Sequence, residues 1–412
     1  MRELEEQAFK QGATPESLME KAGRGIAQAI LRRYSKCGTV IACIGSGNNG
    51  GDALVAARYL AEAGWKVGIR CLHESSELGA LPRKKLRELG DCPMNAGPER
   101  EAEHPLVLLD GLLGIGAKGP LRAPLDELAS WMNQTRLSHK AQTIAMDIPS
   151  GVDGDSGEVY DGAVVADLTL TIGVPKPGLF AASVVNYTGA IELVPLDELP
   201  VPSDGDLCLN DVHYLRGILP RRDHDCHKGD AGRVGILAGS RGMLGAAVLC
   251  ATGALRAGAG LVTLFADESI YPLLAPMLPA EVMLRPISML SEINPAEFDA
   301  FAVGPGMGQG DTESNEAYLS LLQRMAIPIV IDADGLNRIA DLGVEQCIGP
   351  NLILTPHPGE LARLFPEWAG VDRIDVAKAF RKRYDRSTLL LKGAHTLVAR
   401  SGSPVYFNAT GN

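Results

Sequence analysis

Short apolar, β-branched runs recur along this 412-residue chain, and segments of helical period separate them throughout. That alternation points to an α/β architecture with mainly parallel sheets. Residues 39–44, 66–72, 106–110, 143–147 and 168–172 read as strands, with helical segments between them at, for example, 17–34, 52–63 and 125–133. The rhythm then stops. Residues 199–211, LPVPSDGDLCLND, are rich in Pro, Gly and Asp and carry no apolar period, which predicts a linker. It restarts with strands at 233–238, 261–265, 300–303, 328–332, 351–355 and 388–391, and a helix at 245–257. The chain is too long for one ordinary core. Two α/β domains in tandem, 1–198 and 212–412, are expected.

A formal charge of -11 argues against electrostatic capture of nucleic acid or of an anionic membrane surface. No apolar run approaches the roughly 18 residues that span a bilayer. The first residues, MRELEEQAFKQG, form no signal-peptide apolar core. Eight scattered cysteines without a C-x-x-C pair suit reduced thiols in a cytoplasm. The segment HDCH at 224–227 lacks a second pair of zinc ligands and reads as a polar loop.

Residues 45–50, GSGNNG, fit the G-x-G-x-x-G template behind an apolar run. A dehydrogenase turn seats a pyrophosphate at the positive start of the next helix, with a ribose-binding acid about 20 residues on, roughly where Glu74 falls. Here Asp52 would repel that pyrophosphate; as an N-cap or first-turn residue it would instead satisfy the helix's own N–H groups. Asn48 and Asn49 add side-chain amides that a standard dinucleotide turn does not need. Three further loops follow apolar runs: DGLLGIG at 110–116, leading into KGPLRAP; DIPSGVD at 147–153; and 167–179, which holds Lys176. Loops after strand carboxyl ends converge on one edge of an open sheet. Asp110, Asp147, the amide pair and two glycine turns would then face one crevice, although each Asp alone reads as a turn former or cap.

In this order and spacing, NNGGDALVAARYL, DGLLGIG, DIPSGVDG and LTIGVPKPGL resemble the N-terminal domain of the NAD(P)H-hydrate epimerases over about residues 2–198. The resemblance implies a Rossmann-like three-layer domain that interconverts the R and S hydrates of NADH and NADPH at C6. It implies that Asn48, Asn49, Gly50, Gly51 and Asp52, with Gly114, Ile115, Gly116, Ala117, Lys118, Gly119 and Pro120, hold the hydrate. Asn49, Asp110 and the backbone of Ser150 would bind a potassium ion, and Asp147 would be the catalytic carboxylate at the reacting end. A fixed carboxylate suits that chemistry, because it can stabilise a cationic iminium-like species and shuttle the hydroxyl proton. Lys176 carries two readings, a phosphate contact and a structural loop residue.

The second half has glycine-rich loops after strands at 227–247 and 304–308, the segment LTPHPGE around His357, and LKGAHTLVAR at 391–400. Such loops let backbone N–H groups approach phosphate oxygens; His357 by itself reads as a loop residue held by its prolines. Together these motifs resemble the ADP- or ATP-dependent NAD(P)H-hydrate dehydratases, of ribokinase-like fold, a domain fused behind the epimerase in many bacterial proteins. The resemblance implies that Ala246, Gly306 and His357 contact the S-hydrate. Lys392, Gly393, Ala394, His395 and Thr396 would contact ADP or ATP, which acts with Mg2+. It also implies a homo-oligomer. The family's G-G-x-G-D loop, which supplies the catalytic Asp, is absent, since the sequence ends at the segment resembling its approach. A truncated second domain with little dehydratase activity and poor stability alone is therefore expected. Two other readings stand beside this one: a ribokinase-like small-molecule kinase with an N-terminal binding or scaffolding domain, and an NAD(P)-dependent dehydrogenase.

Overall fold

The computed structural model describes residues 1–74, 76–98, 104–201, 205–210, 212–219 and 222–409. The chain divides into two compact units, residues 1–203 and 204–408.

Unit 1 is built on a six-stranded sheet, β1 (Thr39–Ile44), β2 (Lys66–Arg70), β3 (Leu106–Gly111), β4 (Gln142–Met146), β5 (Leu168–Ile172) and β6 (Ala190–Val194). Its order is β2-β1-β3-β4-β5-β6, with every pairing parallel. β1 and β3 are apolar and buried almost throughout, as strands covered on both faces must be. On one face α2 (Pro15–Arg33) and α3 (Asn48–Glu62) pack small residues, Ala22, Ala27, Ala53 and Ala57, against Val40, Ala42 and Val107. The helix Leu125–Ser138 covers the other face through Leu128, Ala129 and Met132, against Ile41 and Leu108. α2 starts at a capping box in which Thr14 accepts from the Ser17 amide and Ser17 accepts from the Thr14 amide, with Pro15 at the first helical position. A polar helix, α1 (Arg2–Lys10), precedes it and buries only Ala8.

Unit 2 holds a ten-stranded sheet of β7 (Leu207–Leu209), β8 (Arg233–Leu237), β9 (Leu261–Asp267), β10 (Val282–Ile287), β11 (Ala300–Val303), β12 (Ile329–Ile331), β13 (Leu352–Leu354), β14 (Thr388–Leu391), β15 (Thr396–Arg400) and β16 (Val405–Asn408). The order is β10-β9-β8-β11-β12-β13-β14-β15-β16-β7. β10 through β14 run parallel, and β15 is antiparallel to both of its neighbours. Within the segment read as a linker, Leu207–Leu209 forms an edge strand, because its three residues take up the hydrogen-bonding edge of β16. No described helix is long and apolar enough to cross a membrane.

Candidate functional site

In unit 1 the chain places β2 on one side of β1 and β3 on the other, which opens a crevice at the carboxyl ends of β1 and β3. A cavity of about 650 Å³ lies there. The turn after β1 lines it with Ser46, Gly47, Asn48 and Asn49, and the loop after β3 with Leu112 through Ala117. Asp147, Ile172 and Asp52 complete the inner wall, while Arg2, Glu5, Phe9, Leu18 and Met19 come from α1 and α2.

Of the residues expected to hold the hydrate, Asn48, Asn49, Asp52, Gly114, Ile115, Gly116, Ala117 and Asp147 line this cavity. Gly50 and Gly51 are buried in α3 instead, where a Cβ would strike the Gly45 carbonyl or the Met19 side chain. Lys118 is exposed, 3.4 Å from Asp155, and Pro120 is exposed beside it. Gly119, at φ +89°, borders a small pocket with Gly114 and Ser150. The expected helix cap at Asp52 is corrected. Gly47 is the cap residue, without a side-chain bond, and α3 already begins at Asn48. The glycines let the first turn pack against Gly45 and Met19, so the helix starts four residues earlier and Asp52 falls in its second turn.

Asp147 follows β4 with φ +69°, a left-handed conformation that a side-chain-bearing residue holds only when its surroundings fix it. What fixes it is visible. Its Oδ1 accepts from the Ile172 amide at 2.9 Å and from the Lys176 ammonium, which also donates to the Ile172 carbonyl at 2.7 Å. Lys176 is thus committed to Asp147, a pairing the sequence reading did not contain. Two other carboxyls face the same space. Burial pushes Asp52 well above the ordinary carboxylate range, helped by the charges of Asp147 and Glu5. Burial also raises Glu5.

Behind the cavity, Asp110 is fully buried. One oxygen accepts from the Ser150 amide at 2.7 Å, the other from the Ser150 hydroxyl at 2.6 Å and the Leu112 amide at 3.3 Å. Burial raises its pKa to about 6, against the pull of the Ser150 bonds. Ser150 Oγ accepts from the Leu113 amide at 3.0 Å, and Asn49 Nδ2 donates to the Leu113 carbonyl at 2.8 Å. One knot therefore joins Asn49, Asp110 and Ser150, and the hard oxygens it gathers are the donor type an alkali cation takes. Among the described residues no group of three His, Cys, Asp or Glu could hold a metal ion.

In unit 2 the expected residues fall into two neighbouring groups. Gly306 takes φ +66°, and a Cβ there would lie 2.9 Å from that of Ala246, so the two adjoin. His357 caps the helix Pro358–Leu364: its Nδ1 accepts from the amides of Gly359 at 3.0 Å and Glu360 at 3.3 Å. Glu360 returns a bond by accepting from the His357 amide at 2.8 Å. Lys392 Nζ lies 2.6 Å from Asp332 and 3.6 Å from Glu360, and its amide donates to the Pro356 carbonyl at 2.9 Å, which ties the Lys392 segment to the His357 turn. Asp332 and Glu360 had no assigned role in the sequence reading; the pairing of β12, β13 and β14 brings them to Lys392. Thr396 Oγ1 donates to the Gly393 carbonyl at 3.3 Å. His395 is buried, which lowers its pKa with help from Arg373. A further cavity of about 680 Å³, lined by Gly239, Phe265, Met307 and Arg338, takes none of the expected residues.

The model for YjeF-related protein N-terminus matches residues 15–178, and that for NAD(P)H-hydrate dehydratase matches residues 234–412. The chain is 33% identical over 425 residues to a bifunctional NAD(P)H-hydrate repair enzyme Nnr of Coxiella burnetii, covering 100% of this chain and 84% of that protein. It is 34% identical over 428 residues to the like-named protein of Moorella thermoacetica, covering 96% of this chain and 79% of that one. These matches lend no support to the expectation of a truncated second half. Part of it is similar to the ADP/ATP-dependent NAD(P)H-hydrate dehydratase structure of Bacillus subtilis, at 32% identity and a TM-score of 0.42, covering 50% of this chain and 73% of that one. With both halves matched in one order and relatives above 30% identity over 96–100% of the chain, this chain belongs to the bifunctional NAD(P)H-hydrate repair enzymes.

Proposed function

We propose that unit 1 interconverts the R and S hydrates of NADH and NADPH at C6, with Asp147 as the carboxylate at the reacting carbon. Unit 2 dehydrates the S form at the expense of ADP or ATP. The observation that carries the first half is one wall of one cavity: Asp147, held by Lys176 and the Ile172 amide, beside Asn49 of the Asp110–Ser150 knot. A scaffold has no need to converge buried carboxylates on a cavity.

The chemistry follows from the charges. C6 of the hydrate carries a hydroxyl next to the ring nitrogen, so inversion passes through a cationic iminium or an opened ring. Asp147 is the fixed negative charge for that cation, and its left-handed backbone aims the carboxylate without reorganisation. On the ring-opened route it takes the hydroxyl proton as the C6–N1 bond breaks to an aldehyde and returns it when the ring closes on the other face. On the iminium route the C6–O bond breaks with loss of water, and water adds back to the opposite face. Asn48, Gly114, Ile115, Gly116 and Ala117 position the rest of the substrate. A potassium ion, held by the Asn49 amide oxygen, Asp110 and the Ser150 carbonyl, would supply positive charge that fixes the two loops against each other.

In unit 2 the hydrate's C6 hydroxyl gives up its proton and attacks the terminal phosphorus of the nucleotide, displacing AMP from ADP or ADP from ATP. Loss of phosphate from C6 with a proton from C5 then restores the ring double bond. Ala246, Gly306 and His357 take the hydrate, and Lys392 through Thr396 take the nucleotide. Mg2+ bound with the nucleotide would neutralise phosphate charge. We place the protein in the cytoplasm, where its eight unpaired cysteines stay reduced. The test is direct. Purified S-hydrate given to the protein should yield an R/S mixture, and ADP or ATP with Mg2+ should then return reduced-nicotinamide absorbance from both epimers. No change in either epimer would reject the reading.

A further inference from the structure

Resting on that reading, we infer that α1 belongs to the epimerase site and that Arg2 is the cation that anchors the substrate's pyrophosphate. Three observations on unlike features agree. First, α1 lies against the cavity: Arg2, Glu5 and Phe9 line it, although the matched family segment begins only at residue 15. Second, the Arg2 guanidinium crosses to the glycine turn after β3. A Cβ at Gly116 would stand 3.3 Å from Arg2 Nη2. That turn is glycine-rich, and such turns let backbone N–H groups approach phosphate oxygens. Third, the site's charges leave Arg2 this task. At this cavity the Lys176 ammonium is held by Asp147 and is not offered to a phosphate. Among the described residues no carboxylate lies within ion-pair distance of Arg2. Its guanidinium fork is therefore unspent at the cavity mouth, in the geometry that binds phosphate oxygens two at a time.

The substrate's orientation follows. The hydrated ring enters toward Asp147 and Lys176, and the pyrophosphate stays between Arg2 and the turn Gly114-Ile115-Gly116. Specificity toward dinucleotides over free nicotinamide nucleosides would then come from a helix that carries no catalytic group.

The experiment uses the full chain as wild type, Arg2→Ala and Arg2→Lys, with thermal unfolding to show that the exposed substitution leaves the fold intact. Calorimetric titration with ADP-ribose, which carries the pyrophosphate but no nicotinamide, should show a binding component in wild type. Arg2→Ala should weaken that component about tenfold, the loss of one charge-assisted contact. Arg2→Lys should retain part of it and lose the bidentate share. In the epimerase assay, Arg2→Ala should raise KM by a similar factor with kcat within about twofold, as removal of uniform binding does. Superimposable ADP-ribose isotherms for wild type and Arg2→Ala would overturn the inference, whatever the epimerase assay gives. A wild type that binds ADP-ribose through Arg2 but leaves the hydrate epimers unchanged would reject the epimerase reading and leave the Arg2 assignment standing.

Discussion

The Lys176 ammonium and the Asp147 carboxylate form an ion pair at the unit 1 cavity, with only 7% and 11% of their side chains exposed. Removing one member of such a pair leaves the other charge buried without compensation. Lys176→Met should therefore lower unit 1 stability by about 3–5 kcal/mol. It should also cut epimerase kcat more than it raises KM, because the carboxylate loses its fixed geometry. Lys176→Arg should recover part of the stability. Chemical denaturation and steady-state rates on the same preparations check both, and an unchanged kcat in Lys176→Met would contradict the pairing's role.

The template glycines are not equivalent. A Cβ at Gly45 would collide with the Leu112 carbonyl oxygen, whereas nothing stands within 4 Å of one at Gly47. Gly45→Ala should cost about 1–3 kcal/mol or fail to fold, as an overpacked site does. Gly47→Ala should fall within about 0.5 kcal/mol of wild type in urea unfolding. Equal costs at the two positions would contradict the packing described for the turn.

The Asn49–Asp110–Ser150 knot separates a side-chain role from a backbone role. Ser150→Ala removes the hydroxyl that donates to Asp110 and accepts from Leu113, at a cost of about 1–3 kcal/mol, yet keeps the carbonyl assigned to potassium. Its melting temperature should still rise when potassium replaces a bulky organic cation, while Asn49→Ala should lose that rise. The opposite pattern would place the ion elsewhere.

His395 gives unit 2 a pH signature. Burial, with Arg373 beside it, lowers its pKa below the ordinary 6.5. The unfolded chain then binds a proton there more readily than the folded one, so stability is lost as pH falls through about 6.5 and below. The unit 2 unfolding transition should drop between about pH 7 and pH 5, and His395→Gln should flatten that slope. A wild-type transition that rises on acidification would contradict the assignment.

Much of the fold was legible because buried parallel strands are nearly continuous apolar runs, as at Thr39–Ile44 and Leu168–Ile172. The strands that went unread lack that signature, Ala190–Val194 and Thr396–Arg400 among them, each broken by half-buried positions. Val282–Ile287 sits at the sheet edge with Arg285 and Pro286 in it. Leu207–Leu209 is three residues long inside a polar segment, and Val405–Asn408 alternates burial over only four. In the site, Asp110, Asp147 and Asn49 could be brought to one crevice from the rule that loops meet at strand carboxyl ends. The Lys176–Asp147 pair could not, since it depends on how the loop after β5 folds back toward β4. Nor could the share of α1: a polar helix with one buried alanine carries no sequence sign of what it docks against. The helical start at Asn48 was missed for a related reason, because glycines that read as a loop were there to let a first helical turn pack closely.

Whether the Asp147 carboxylate carries the epimerisation is read from a single rate. Purified S-hydrate of NADPH, incubated with wild type and with Asp147→Asn, is followed by separation of the two epimers over time. Asparagine keeps the shape and the acceptor for the Ile172 amide but removes the charge. Wild type should reach the R/S equilibrium, and Asp147→Asn should slow its approach by about 100-fold or more, the usual share of a positioned acid–base group. An Asp147→Asn protein that folds as wild type and epimerises at the wild-type rate would contradict it.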